Sequence, residues 1–98
     1  MNQIQKISEK CNELRQKADG SSTTRVIFGI ESGDVILSYH PQDNYIIISV
    51  VPNNFKQSSA EQIIDMVTKE FGRKYGDIEE SESSAVVEYT RKIDWSHN

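Results

Sequence analysis

Tyr45-Ile46-Ile47-Ile48-Ser49-Val50-Val51 is the longest apolar run in the chain, and its reading decides the fold. Seven residues make a strand and fall far short of a membrane span. A strand with one face in water alternates apolar and polar residues. Here Ile46, Ile48 and Val50 fall on one face, and Tyr45, Ile47 and Val51 fall on the other with Ser49 alone between them. The segment therefore reads as a central strand that is apolar on both faces.

The flanking residues extend this strand into a sheet. Pro41-Gln42-Asp43-Asn44 is a turn signal, and before it Asp34 to His40 alternates Val35, Leu37 and Tyr39 against Ile36, Ser38 and His40. Glu31-Ser32-Gly33-Asp34 reads as a hairpin turn with Gly33 able to take positive φ. It is preceded by a run in which Val26, Phe28 and Ile30 alternate with Arg25, Ile27 and Gly29. Such short connections predict an antiparallel meander. Ile27 and Ile36 add to the same far face as Ile47.

Helices are predicted on both sides of the meander. Ile4, Ile7, Cys11, Leu14 and Ala18 recur at steps of three and four, which draws one apolar stripe from about Gln3 to Asp19. Asn2 stands at its N-cap and Gly20 at its C-cap. After the central strand, Ser58 with Glu61 or Ser59 with Gln62 forms a capping box. Ala60, Ile63, Ile64, Val67, Phe71 and Tyr75 then line a buried face, with Gly76 favoured over Gly72 as the stop. Asp77 to Ser84 is polar, with Ile78 available to a short strand. A last strand runs from about Ala85 to Ile93, with Ala85, Val87, Tyr89 and Ile93 of one parity and Arg91 the exception. Trp95 continues it, and Ser96-His97-Asn98 reads as a fraying tail.

The order α-β-β-β-α-(β)-β predicts an α+β two-layer sandwich, a four- or five-stranded antiparallel sheet with two helices on one face. A length of 98 residues reads as a single domain, 1–98. In element order the chain resembles the class I type III secretion chaperones, from which it departs in its shorter length and the missing closing helix. That resemblance implies an acidic, dimeric, non-catalytic protein holding an extended partner segment. The opening helix, three strands and helix also resemble a double-stranded RNA-binding domain.

Composition narrows the function classes. The formal net charge of −4 disfavours nonspecific phosphate binding. Lone Cys11 can form neither an internal disulfide nor a Cys-pair zinc site, and the opening MNQIQKISEK carries no secretory h-region. The expected location is cytoplasmic. His40 and His97 are the only histidines, neither with a partner at ligand spacing, and Cys11 stands in an apolar stripe. The chain carries no nucleophile elbow, phosphate loop or dinucleotide fingerprint. The expectation is therefore no enzyme, no catalytic residue, no metal and no cofactor.

Two helices cover one side of a sheet, so the second apolar side either is masked by Lys and Arg stems of the same chain or meets another molecule, in a homodimer or with a different protein. The expected function is a protein-binding module that occludes or holds a partner, in the manner of an inhibitor, an immunity or anti-defence protein, or a secretion chaperone. Its expected partner-binding residues are Tyr45, Ile47 and Val51 on the sheet, Phe55 and Trp95 as aromatic anchors, and Glu79, Glu80 and Glu82 as an acidic steering patch. The patch also reads as a charged edge that deters aggregation. The alternative is a small RNA-binding domain using Lys69, Arg73 and Lys74 of the second helix.

Overall fold

The computed structural model describes residues 2–83 and 86–95. In chain order these form α1 (Gln3–Lys17), β1 (Thr24–Ile30), β2 (Gly33–His40), β3 (Tyr45–Pro52), α2 (Gln57–Phe71), β4 (Glu79–Ser83) and β5 (Val86–Asp94). The strands build one antiparallel sheet ordered β1-β2-β3-β5-β4. Both helices pack on the same face, so the fold is the expected α+β two-layer sandwich, with five strands.

The sequence patterns account for this arrangement. Register pairs Val26 with Leu37, Leu37 with Ile48 and Ile46 with Ile93, so residues of one parity on four strands share a face. Onto it α1 presents Ile7, Cys11 and Leu14, while α2 presents Ala60, Ile63, Ile64, Val67 and Phe71. These residues form one continuous core. Each large aliphatic side chain removed from water there contributes about 1.5–3 kcal/mol. Asn2 caps α1 as expected: its side chain accepts from the Gln5 N–H at 2.8 Å, and Gln5 accepts in return from the Asn2 N–H.

β3 lies between β2 and β5, as its two apolar faces require. Glu31 and Ser32 form the turn between β1 and β2, since Ile30 already pairs with Gly33. Gly33 is needed for space: a Cβ there would overlap the Val51 carbonyl oxygen and stand 2.9 Å from Pro52 Cα.

Several local expectations are corrected. α1 ends at Lys17 with Ala18 as its C-cap, and Gly20, at φ +81°, turns the following connection instead. Ile4 is exposed; at that end of α1 it is Gln3 that meets the sheet, accepting from the Ser32 hydroxyl of the β1–β2 turn at 3.1 Å. The N-cap of α2 is Lys56 with no side-chain bond, so neither predicted capping box forms. The Ser59 hydroxyl instead accepts from the Asn54 side chain at 2.8 Å.

α2 stops at the left-handed Gly72, not at Gly76. Tyr75 lies past that stop, 55% exposed, bridging to Ile93 rather than lining the helix. β4 begins at Glu79, leaving Ile78 packed against the core just before it. Ala85 and the tail at 96–98, including His97, lie outside the described residues.

Arg91, the exception to the β5 parity, does face the helices. Its side chain is 11% exposed, and Nη1 donates to Asp65 Oδ1 at 3.0 Å and to Thr68 Oγ1 at 3.1 Å, both on α2. Its guanidinium lies 4.4 Å from the centre of the Tyr75 ring. A charge at a core-facing position is tolerable when hydrogen-bonded in this way, and here it ties α2 to the last strand.

Candidate protein-binding face

The side of the sheet away from the helices is built by the residues of opposite parity, and cross-strand register arranges them in rows. One row runs Ile27, Ile36, Ser49, Thr90, Glu79 across all five strands. The next runs Arg25, Ser38, Ile47, Lys92, and on the other side Gly29, Asp34 and Val51 stand abreast. Since Ser49 pairs with Thr90 and Val50 with Tyr89, Glu88 continues that last row on β5. No other described element covers this face.

The centre of the face is apolar. Ile27 is 68% exposed, and Ile36, Tyr45, Ile47 and Val51 are each half-buried. Ser38 and Ser49 are buried between these larger neighbours, so the surface has small hollows flanked by isoleucine knobs. At one end His40 stacks on Tyr45 with ring centroids 4.8 Å apart, and the Lys92 ammonium lies 4.6 Å from the Tyr45 ring centre. These contacts hold the Tyr45 ring at the border of the patch.

The expected site residues do not all gather there. Tyr45, Ile47 and Val51 share the face. Phe55 lies in the loop between β3 and α2, 60% exposed and at φ +59°. Trp95 packs edge-on against Phe71 on the helix side, 5.2 Å between centroids, with Arg73 stacked over it at 5.0 Å.

The acidic trio is split by strand alternation. Glu79 borders the bare face, whereas Glu80 pairs with Tyr89 on the helix side. Glu80 Oε1 accepts from the Tyr89 hydroxyl at 2.9 Å, which holds the phenol above its usual pKa. Glu82, two residues on, shares the Glu80 side.

The face also has members that site selection from the sequence missed: Arg25, Asp34, Glu88 and Lys92. Their strand parity was readable, but only the pairing of β3 with β5 shows that Lys92 stands beside Ile47.

The basic residues of α2 occupy a different region. Lys69 and Arg73 line a groove of about 470 Å³ with Asp65, Thr68, Gly72, Tyr75 and Arg91. Lys74 opens instead onto a neighbouring depression with Asp43, Tyr45 and Lys92. Asp65 holds Arg91 within the groove and Arg73 leans on Trp95, so two of its cations already have partners.

Cys11 is fully enclosed, and burial pushes its thiol up to about 12. It lies beneath the helices, whereas His40 is on the opposite side of the sheet, so the two cannot act as a nucleophile and base. Among the described residues, no group of His, Cys, Asp and Glu side chains could hold a metal ion. No described helix is long and apolar enough to cross a membrane. No family model, no curated protein and no solved structure matches this chain.

Proposed function

We propose that the chain is a non-enzymatic, cytoplasmic protein-binding module that occludes or holds another protein through the bare face of its sheet. The observation that carries this reading is the uncovered row and flank of Ile27, Ile36, Ile47 and Val51. A water-facing sheet side is ordinarily polar, and a contiguous apolar patch ringed by charge is the signature of an interaction surface. Tyr45 at the border supplies an aromatic anchor of the type that dominates binding energy. Glu79, the glutamate of the expected trio that falls on this side, borders the patch.

The test is affinity capture from source-cell lysate using wild-type and Ile47→Lys baits, each with and without nuclease. A nuclease-resistant protein retained by wild type and lost with Ile47→Lys supports the reading, given an unchanged far-ultraviolet circular dichroism spectrum. Equal capture by both baits defeats it. Material lost after nuclease directs attention to the Lys69–Arg73 groove and the RNA-binding alternative, for which binding falls steeply with salt.

A further inference from the structure

We infer that the bare face is self-complementary and that its occupant is a second copy of this chain, seated about a two-fold axis that passes over Ser49 and lies across the strands. This rests on the reading of the face as a protein-binding surface and names what it binds.

The charges of the two rows that flank the central one are polarised along the strand direction. Arg25 and Lys92 lie in the row on one side of the Ile27–Ile36–Ser49–Thr90 row, and Asp34 and Glu88 lie on the other side. Rotation by 180° about an axis along the central row keeps each strand over its own counterpart and exchanges the flanking rows. Lys92 then faces Glu88 of the second copy, and Ile47 faces its Val51. Every member of the central row meets its own equivalent, Ile27 and Ile36 at one end and Glu79, at the β4 border, at the other. Within one chain Lys92 and Glu88 are separated along β5 by Thr90, too far to pair with each other.

Arg25 falls over Gly29 of the second copy, where no side chain stands in its way. The Asp34 carboxylate leans toward that position: a Cβ on Gly29 would lie 3.4 Å from Asp34 Oδ1. A guanidinium laid across the glycine therefore reaches this carboxylate. The two-fold repeats each pairing, and it sets Ser38 opposite Asp34 of the second copy.

The size is adequate. Five strands about 4.8 Å apart and seven residues of about 3.3 Å each give a face of roughly 550 Å² in projection. Side-chain relief raises the accessible area toward the ~800 Å² per partner of a stable interface. Sheets stacked this way tilt by about 30°, within the reach of Lys and Glu side chains.

The experiment is sedimentation of the full chain from about 1 to 200 μM, with circular dichroism on each variant. Wild type is expected to show a monomer–dimer equilibrium. Lys92→Glu sets like charges opposite each other twice and should raise the dissociation constant about tenfold. Adding Glu88→Lys to it should restore dimerisation to within about threefold of wild type. Ile36→Lys should abolish dimerisation, and Ile27→Lys, at a site too exposed to threaten folding, should weaken it. A monomer at every concentration overturns the inference, as does a dimer indifferent to Ile36→Lys and unrescued by the charge exchange. A monomer whose lysate partner is lost with Ile47→Lys leaves the protein-binding reading standing while this inference falls. A monomer that captures nothing removes both.

Discussion

Ile47 and Ile48 are the same residue type joined by one peptide bond, yet they occupy opposite worlds. Ile48 is enclosed beneath the helices, while Ile47 lies half-buried on the bare face beside Ser38 and Lys92. The difference arises from strand alternation, which sends neighbours to opposite sides, and from helix placement, which covers only one. Apolar character at Ile48 holds the fold together. At Ile47 the side chain keeps part of its surface in water, so less of it is withdrawn by folding.

The largest effect expected from this contrast is on the covered side. Ile48→Ala should cost about 2–5 kcal/mol in denaturant unfolding, and Ile47→Ala well under half of that. Equal costs would mean that the two faces are equally packed and that no face is free for binding.

Gly33→Ala should follow at about 1–3 kcal/mol, because the overlap is with the backbone of β3 rather than a movable side chain. Its unfolding midpoint would show whether the β2–β3 ladder can yield.

The covered side also predicts a pH dependence. Cys11 is raised to about 12 when folded, against 9.0 as its ordinary value. Above pH 9 the unfolded chain loses this proton while the folded one keeps it. Stability from this group is therefore complete below pH 9 and declines as pH rises toward 12, by at most about 1.4 kcal/mol per pH unit. Cys11→Ala should remove that slope, and the native thiol should resist a disulfide reagent until the chain unfolds. The smallest effect belongs to the bare side: Ile27→Lys should change stability by no more than about 0.5 kcal/mol. A larger loss would show that Ile27 packs in the folded monomer.

Much of this division is legible in the sequence. Alternation in Tyr45–Val51 and Asp34–His40 assigned Ile46, Ile48 and Val50 to one side and Ile47 and Val51 to the other, because strand periodicity is a local property. The stripe through Ile7, Cys11 and Leu14 was equally clear.

The errors came where local pattern and tertiary reach diverge. Ile4 continues the helical spacing, yet it is Gln3 beside it that meets the β1–β2 turn and Ile4 stays exposed, and Tyr75 fits the α2 stripe although Gly72 has already turned the chain. β4, written Glu-Glu-Ser-Glu-Ser, has no apolar alternation to mark it as a strand. The ionic rows of the bare face were hidden for another reason. They are assembled by β3 and β5, which are distant in sequence, and no local pattern encodes that register.

That same pairing has a consequence in time. Val50 meets Val35 across a short turn, but it meets Tyr89 only after α2 and β4 have been laid down between them. Contacts closing long loops bear the larger entropic cost and form late. Until β5 docks, the most apolar strand of the protein carries an open edge, inviting pairing between molecules. β4, bound to β5, becomes the new border of the sheet, and its glutamates repel an incoming strand. The strand that seals β3 thus brings with it the charges that guard that edge of the finished sheet.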